Sequence, residues 1–152
     1  MTTVSQRLVE LGITLPAATV PVGSYVPARR TGGLLLLSGH LARRDGEVVT
    51  GRVGAEVDVE TARELARQVA LALVATAAEA AGGVDRLAGV VRLLGLVRSA
   101  PGFDRQPAVL NGASDQLVEI FGEPGRHARS AIGVSELPMG AVLEVEAVFA
   151  LS

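Results

Sequence analysis

The chain has 152 residues, 49% of them hydrophobic but only 3% aromatic, and a formal net charge of −2. That length suits one domain with a core of Val, Leu and Ala, and that charge gives no reason to expect nucleic acid or an anionic membrane as the main partner. Cysteine is absent, which excludes disulfides, thiolate zinc sites and cysteine nucleophiles and fits a reducing compartment. All 14 basic residues are arginine, so no Schiff-base, pyridoxal-phosphate or P-loop lysine is possible. An anion would be gripped by guanidinium, although a high-GC genome depletes lysine just as well. The longest near-apolar run, Val69 to Ala78, is half the roughly 20 residues a spanning helix needs. The first residues carry no hydrophobic signal region, so the expectation is a cytoplasmic protein.

Residues 3 to 12 predict a short helix, with Val4, Leu8 and Leu11 at i, i+4, i+7 and Gly12 as a stop. Residues 1–18 are its helix and linker. Val20 to Arg30 predicts an edge or bulged strand, because Gly23 and Pro27 interrupt it. After a Thr31-Gly-Gly turn, Leu34 to Leu37 is a strand buried on both faces, or buried on one and covered by a partner on the other. Arg43 to Glu56 is a glycine-rich loop with a small strand around Val48. Asp58 is an N-cap for a long helix from Val59 to about Ala81, with Ala62, Leu65, Ala66, Val69, Leu73 and Ala77 inward. Leu87 to Arg98 is a strand with Val91, Leu93, Gly95 and Val97 alternating against Val90, Arg92, Leu94 and Leu96. Gln106 to Phe121 is a second amphipathic helix, ended by Gly122. The last stretch predicts a hairpin: a strand around Ala128–Val134, a Leu137-Pro-Met-Gly140 turn, and a strand to Leu151.

This order predicts an α+β fold, a single mixed sheet with two main helices on one face, spanning 1–152 as one domain. The opposite face mixes apolar side chains with arginine and glutamate, which suggests burial between subunits.

The closing hairpin gathers the chemistry. Arg129, Ala131 and Gly133 share one face of the first strand, and Glu144 and Glu146 share one face of the second. If the strands pair, an arginine beside two small residues lies near two carboxylates. A planar guanidinium can hold a ligand carboxylate bidentately, or simply pair with an acid of its own chain. Two carboxylates that close tend to raise one pKa, and such a group can position or activate water. His40 and His127 can act as acid or base near neutral pH, but two isolated histidines make no metal site. Ser38 and Ser130 lack a nucleophile elbow.

With these elements placed, the chain resembles the YjgF/Rid family of reactive-intermediate (enamine/imine) deaminases. Gly23-Ser-Tyr25 resembles the family's Gly-Pro-Tyr, and Ser38-Gly39-His40 its Ser-Gly-Gln. Asn111 sits where the second helix carries an asparagine. Ala128-Arg129-Ser130, then Leu137-Pro138 and Leu143-Glu-Val-Glu-Ala147, is similar to the family signature. The resemblance implies a homotrimer of chorismate-mutase-like protomers, with a central barrel and clefts between subunits. It implies carboxylate binding by Arg129, Glu144 as the catalytic acid, and Tyr25, Gly39, His40, Asn111 and Ala131 around the substrate, with Glu146 structural. The chain departs from the family at His40, at His127 in place of a common proline, and at Ala131 in place of cysteine.

The expected activity is cofactor-free hydrolysis of small 2-imino or enamine acids to ammonia and a 2-keto acid, with no metal. An imine is already electrophilic, so positioning and modest acid–base help suffice. The alternative is a non-catalytic trimer that binds small carboxylates or keto acids. An isomerase is suggested by shared fold alone, and the acidic balance opposes strong RNA binding.

Overall fold

A computed structural model describes residues 1–152. Helix α1, Val4–Glu10, begins in a capping box in which the Thr3 side chain accepts from the Gln6 N–H. Ser5 anchors it by donating from its N–H and hydroxyl to Asp85, at 2.8 and 2.7 Å. Helix α2, Val59–Ala81, starts where Asp58 accepts from the Thr61 N–H at 2.7 Å and ends at left-handed Gly82. Helix α3 is Gln106–Phe121. No helix is long and apolar enough to cross a membrane.

The strands are β1 Ala28–Thr31, β2 Leu34–Leu37, β3 His40–Leu41, β4 Arg43–Arg44, β5 Glu47–Val48, β6 Leu87–Arg98, β7 Ala128–Val134 and β8 Leu143–Leu151. The main sheet runs β1-β2-β8-β6-β7, with β3 also paired to β8, while β4 and β5 form a separate hairpin. All pairs are antiparallel except β6 with β7. This is a mixed α+β fold, and α2 and α3 cover one face of the sheet.

The inward stripe expected for α2 is buried throughout, as are Leu110, Ala113 and Leu117 of α3 and Leu143, Val145, Ala147 and Phe149 of β8. The helices approach so closely that a Cβ at Gly112 would collide with the Arg63 carbonyl of α2. Leu110 lies directly over Gly95 of β6.

Three sequence expectations are corrected. The first strand is only Ala28–Thr31; residues 20–27 run irregularly, because Gly23 turns at a φ of 140° and Pro27 offers no N–H to a ladder. Val91 faces outward, because a bulge between Val90 and Arg92 shifts the register and buries Val90 instead. The largest correction is that the closing segments form no hairpin. β6 lies between β7 and β8, hydrogen-bonded to both.

Register then assigns the faces. Rows across the sheet toward the helices read Ala147–Leu93–Arg129 and His40–Val145–Gly95–Ala131. Rows on the opposite face read Leu36–Val148–Arg92–Ala128 and Leu41–Glu144–Leu96–Ile132. Leu35 and Leu37 are buried, but Leu34 and Leu36 are 39% and 42% exposed, so β2 is not buried on both faces in this chain.

Replacing Gly112 by alanine is expected to cost about 1–3 kcal/mol by forcing α2 and α3 apart. Gly33→Ala, where nothing lies within 4 Å of the added Cβ, is the control and should be near neutral. Urea denaturation of the two variants checks this, and equal effects would reject the close-approach account.

Candidate functional site

The expected site residues separate into two groups on opposite edges of the sheet. On the edge formed by β7, Arg129 reaches toward α3 and donates from Nη1 to Asn111 Oδ1 at 2.8 Å and to Ser114 Oγ at 3.1 Å. Asn111 and Ser114 are three residues apart on a helix and therefore share one face. Ser114 Oγ is also 2.9 Å from His127 Nε2, and His127 Nδ1 lies 2.7 Å from the Gly125 carbonyl oxygen. Arg129 is half-buried and makes no ion pair. The charge of its guanidinium is met only by neutral acceptors. Ala131, next along the same face, is half-buried against the core.

At the β3 edge, a cavity of about 1080 Å³ is lined by Tyr25, Ser38, Gly39, His40, Gln68 and Glu144, among others. Glu144 folds over Gly39 so closely that a Cβ there would collide with its carboxylate. That contact supplies a physical reason for glycine at position 39. Burial pushes the Glu144 carboxyl above the ordinary glutamate range, and the neighbouring Glu146 adds to the rise. Tyr25 is 51% exposed, with its hydroxyl accepting from the Val22 N–H at 3.4 Å.

His40 is the most enclosed member, 4% exposed. Its Nδ1 lies 2.8 Å from the Ser38 carbonyl oxygen, which can only accept, so Nδ1 carries the proton. Its Nε2 then accepts from the Thr76 hydroxyl at 2.8 Å, and Thr76 in turn accepts from the Thr19 N–H at 3.3 Å. Desolvation lowers the His40 pKa and outweighs the opposing bond to Ser38. With both nitrogens occupied, the neutral ring ties β3, α2 and the N-terminal segment together.

The arrangement overturns the proximity expected of Arg129 and Glu144. Within one chain they lie on opposite faces of the sheet with β6 between their strands, so no pair forms. Ser114 was missed by the sequence reading; its signal was the three-residue spacing from Asn111. His127 was noted as a departure and as a possible acid or base, not as a partner of Ser114. No three His, Asp or Glu side chains converge as a metal set.

The chain thus has two helices on one face of a mixed sheet, an arginine without an ion pair at one edge and a raised carboxyl in a cavity at the other. Residues 5–150 match the family model described as "YjgF/chorismate mutase-like, putative endoribonuclease". The chain belongs to this family. It is 44% identical to protein TCP17 of Trypanosoma cruzi over 98% of this chain and 94% of the relative. It is 31% identical to a 2-iminobutanoate/2-iminopropanoate deaminase of Dermatophagoides farinae, over 90% and 92% respectively. The crystal structure of protein Atu1372 from Agrobacterium tumefaciens superposes with a TM-score of 0.88 at 40% identity, covering 98% of this chain and 92% of that one.

Because its folded pKa is depressed below 6.5, neutral His40 stabilises the fold fully above that pH, and the contribution is lost as pH falls toward the folded value. His40→Gln is expected to destabilise by about 1–3 kcal/mol near neutrality, by unpairing the Ser38 carbonyl. It should also flatten the loss of stability as the pH falls below 6.5. Urea midpoints across that range decide it; an unchanged slope would rule out His40 as a source of acid sensitivity.

Proposed function

We propose that this chain is a cofactor-free hydrolytic deaminase of small 2-imino or enamine acids, releasing ammonia and a 2-keto acid. The carrying observation is Arg129: a half-buried guanidinium without an acid, held by Asn111 and Ser114. A permanent positive charge in that setting favours an incoming anion, and the planar fork suits a carboxylate. The 31% identical deaminase supports the same substrate class.

Glu144 and Arg129 would come together between chains. β7 is one edge of the sheet and β3 lies along the other, so a head-to-tail contact sets the Arg129 edge of one copy beside the Glu144 cavity of the next. Such a contact closes into a ring, which we take to be a homotrimer with the face carrying Leu36, Val91 and Ile132 turned to its centre. Each copy is a single domain over 1–152 in a cytoplasmic setting.

In that cleft Arg129 binds the substrate carboxylate and Glu144 orients water at the imine carbon. Its raised pKa makes the carboxylate a better base toward that water than an ordinary glutamate. Water adds to the C=N carbon, the nitrogen takes up a proton, and the resulting carbinolamine collapses to keto acid and ammonia. Tyr25, Gly39 and His40 form walls, with His40 as support rather than acid or base, while Asn111 and Ala131 flank the guanidinium.

The test couples the protein to an amino-acid oxidase and traps imine as semicarbazone. Keto-acid release should be accelerated by the protein, and Arg129→Ala should lower kcat/KM about a hundredfold, the loss of two charge-assisted hydrogen bonds. Light scattering should show the assembly of that variant unchanged. No acceleration by the parent protein rejects the deaminase; if 2-ketobutyrate still binds it in calorimetry, the protein is a carboxylate binder instead.

A further inference from the structure

With the His127 ring neutral, donor and acceptor roles around Arg129 are fully determined, because the groups at both ends of its network have one option each. Gly125 offers His127 Nδ1 a carbonyl oxygen, which only accepts, so Nδ1 carries the proton. A neutral ring then has its lone pair on Nε2, and the Ser114 hydroxyl donates into it. At the other end the guanidinium only donates, so Ser114 Oγ and Asn111 Oδ1 both accept from Nη1. Nη1 has two protons, and both are taken. Nε and Nη2 carry the other three, with no protein acceptor. They form the edge of the fork that matches the two oxygens of a carboxylate.

Ser114 is the pivot. Its single proton is committed to His127, which turns its lone pairs toward Arg129. Protonation of His127 would reverse this: Nε2 would become a donor, and one hydroxyl oxygen would be shared between imidazolium and guanidinium. Repulsion between those cations would loosen Nη1 from Ser114. The geometry points to His127 as a positioning residue of the carboxylate site: neutral and acting through Ser114, it holds Arg129 with the Nε–Nη2 edge open to ligand. This rests on the proposed binding of carboxylate by Arg129.

The surroundings keep the ring neutral. Burial lowers the His127 pKa, the bond to Gly125 works against this, and the charge of Arg129 lowers it further. No acid offsets the effect: Asp115 and Glu119 of α3 are exposed, and Glu123 is paired with Arg126 at 3.0 Å.

The test is calorimetry with 2-ketobutyrate and with its uncharged amide, on the parent, Ser114→Ala, His127→Ala, His127→Gln and Arg129→Ala. At about pH 7.5, Ser114→Ala and His127→Ala should weaken 2-ketobutyrate about tenfold, the effect of one lost bond to a charged group, and leave the amide unchanged. In the parent, affinity should fall as pH drops below 6.5. His127→Gln offers an oxygen acceptor that does not titrate, so it should bind as the parent does at neutrality without that fall. If Ser114→Ala and His127→Ala bind like the parent while Arg129→Ala does not, the positioning role is wrong and the carboxylate site stands. Equal weakening of acid and amide also overturns the role, because it marks a general structural defect. If Arg129→Ala binds 2-ketobutyrate like the parent, the carboxylate site itself is refuted.

Discussion

Strand β6 sets the terms for everything else in this molecule. It is 12 residues long and hydrogen-bonded on both sides, parallel to β7 and antiparallel to β8. Register across three strands leaves no freedom in where side chains point. Because Leu93 faces the helices, so does Arg129; because Val97 and Leu143 face them, Glu144 cannot. An enzyme needing both groups at one carbon atom must therefore bring them from different chains, or use only one of them. In such an enzyme the sheet would couple assembly to chemistry.

The uncovered face favours association on energetic grounds. Leu36, Val91 and Ile132 are each more than two-fifths exposed; Leu36 is in a row with Val148 and Ile132 in a row with Leu96, while Val91 sits in the β6 bulge. At about 25 cal/mol per Å² of apolar surface, covering such a face contributes several kcal/mol to association. Arg92, Glu144 and Glu146 interrupt it, so the covering surface has to be polar in places. A second copy of the same face meets that condition, because it carries the same mixture.

What could be read from the sequence was governed by the range of the interaction. Helices α2 and α3 were legible to the residue, since Asp58, Gly82 and Gly122 punctuate an apolar stripe within the helix itself. The β4–β5 hairpin was half visible: Asp45-Gly46, both at positive φ, is a turn signature that fixes pairing of Arg43–Arg44 with Glu47–Val48. Strand order was not legible. Leu137-Pro-Met-Gly140 looks like a hairpin turn, and nothing local reveals that a strand from forty residues earlier fills the gap. The candidate residues followed the same division. Resemblance set Arg129 and Asn111 around one substrate, and the two hydrogen-bond to each other, whereas the expected approach of Arg129 to Glu144 within one chain failed because it depended on strand order.

The two histidines show how one local device takes different roles according to what lies beyond it. Each ring donates from Nδ1 to the carbonyl two residues earlier, Ser38 or Gly125, and meets a helix hydroxyl at Nε2, Thr76 or Ser114. Beyond Thr76 is a backbone N–H, that of Thr19, so the relay at His40 ends in a neutral tie on the N-terminal segment. Beyond Ser114 is a guanidinium with three unmatched protons. The first relay is sealed, with His40 almost wholly buried; the second is half-buried and ends at a charge open to solvent. Protonating the first therefore acts on folding, while protonating the second acts on the direction of the Arg129 guanidinium. Residue type alone does not separate these roles; the acceptor at the far side of each hydroxyl does.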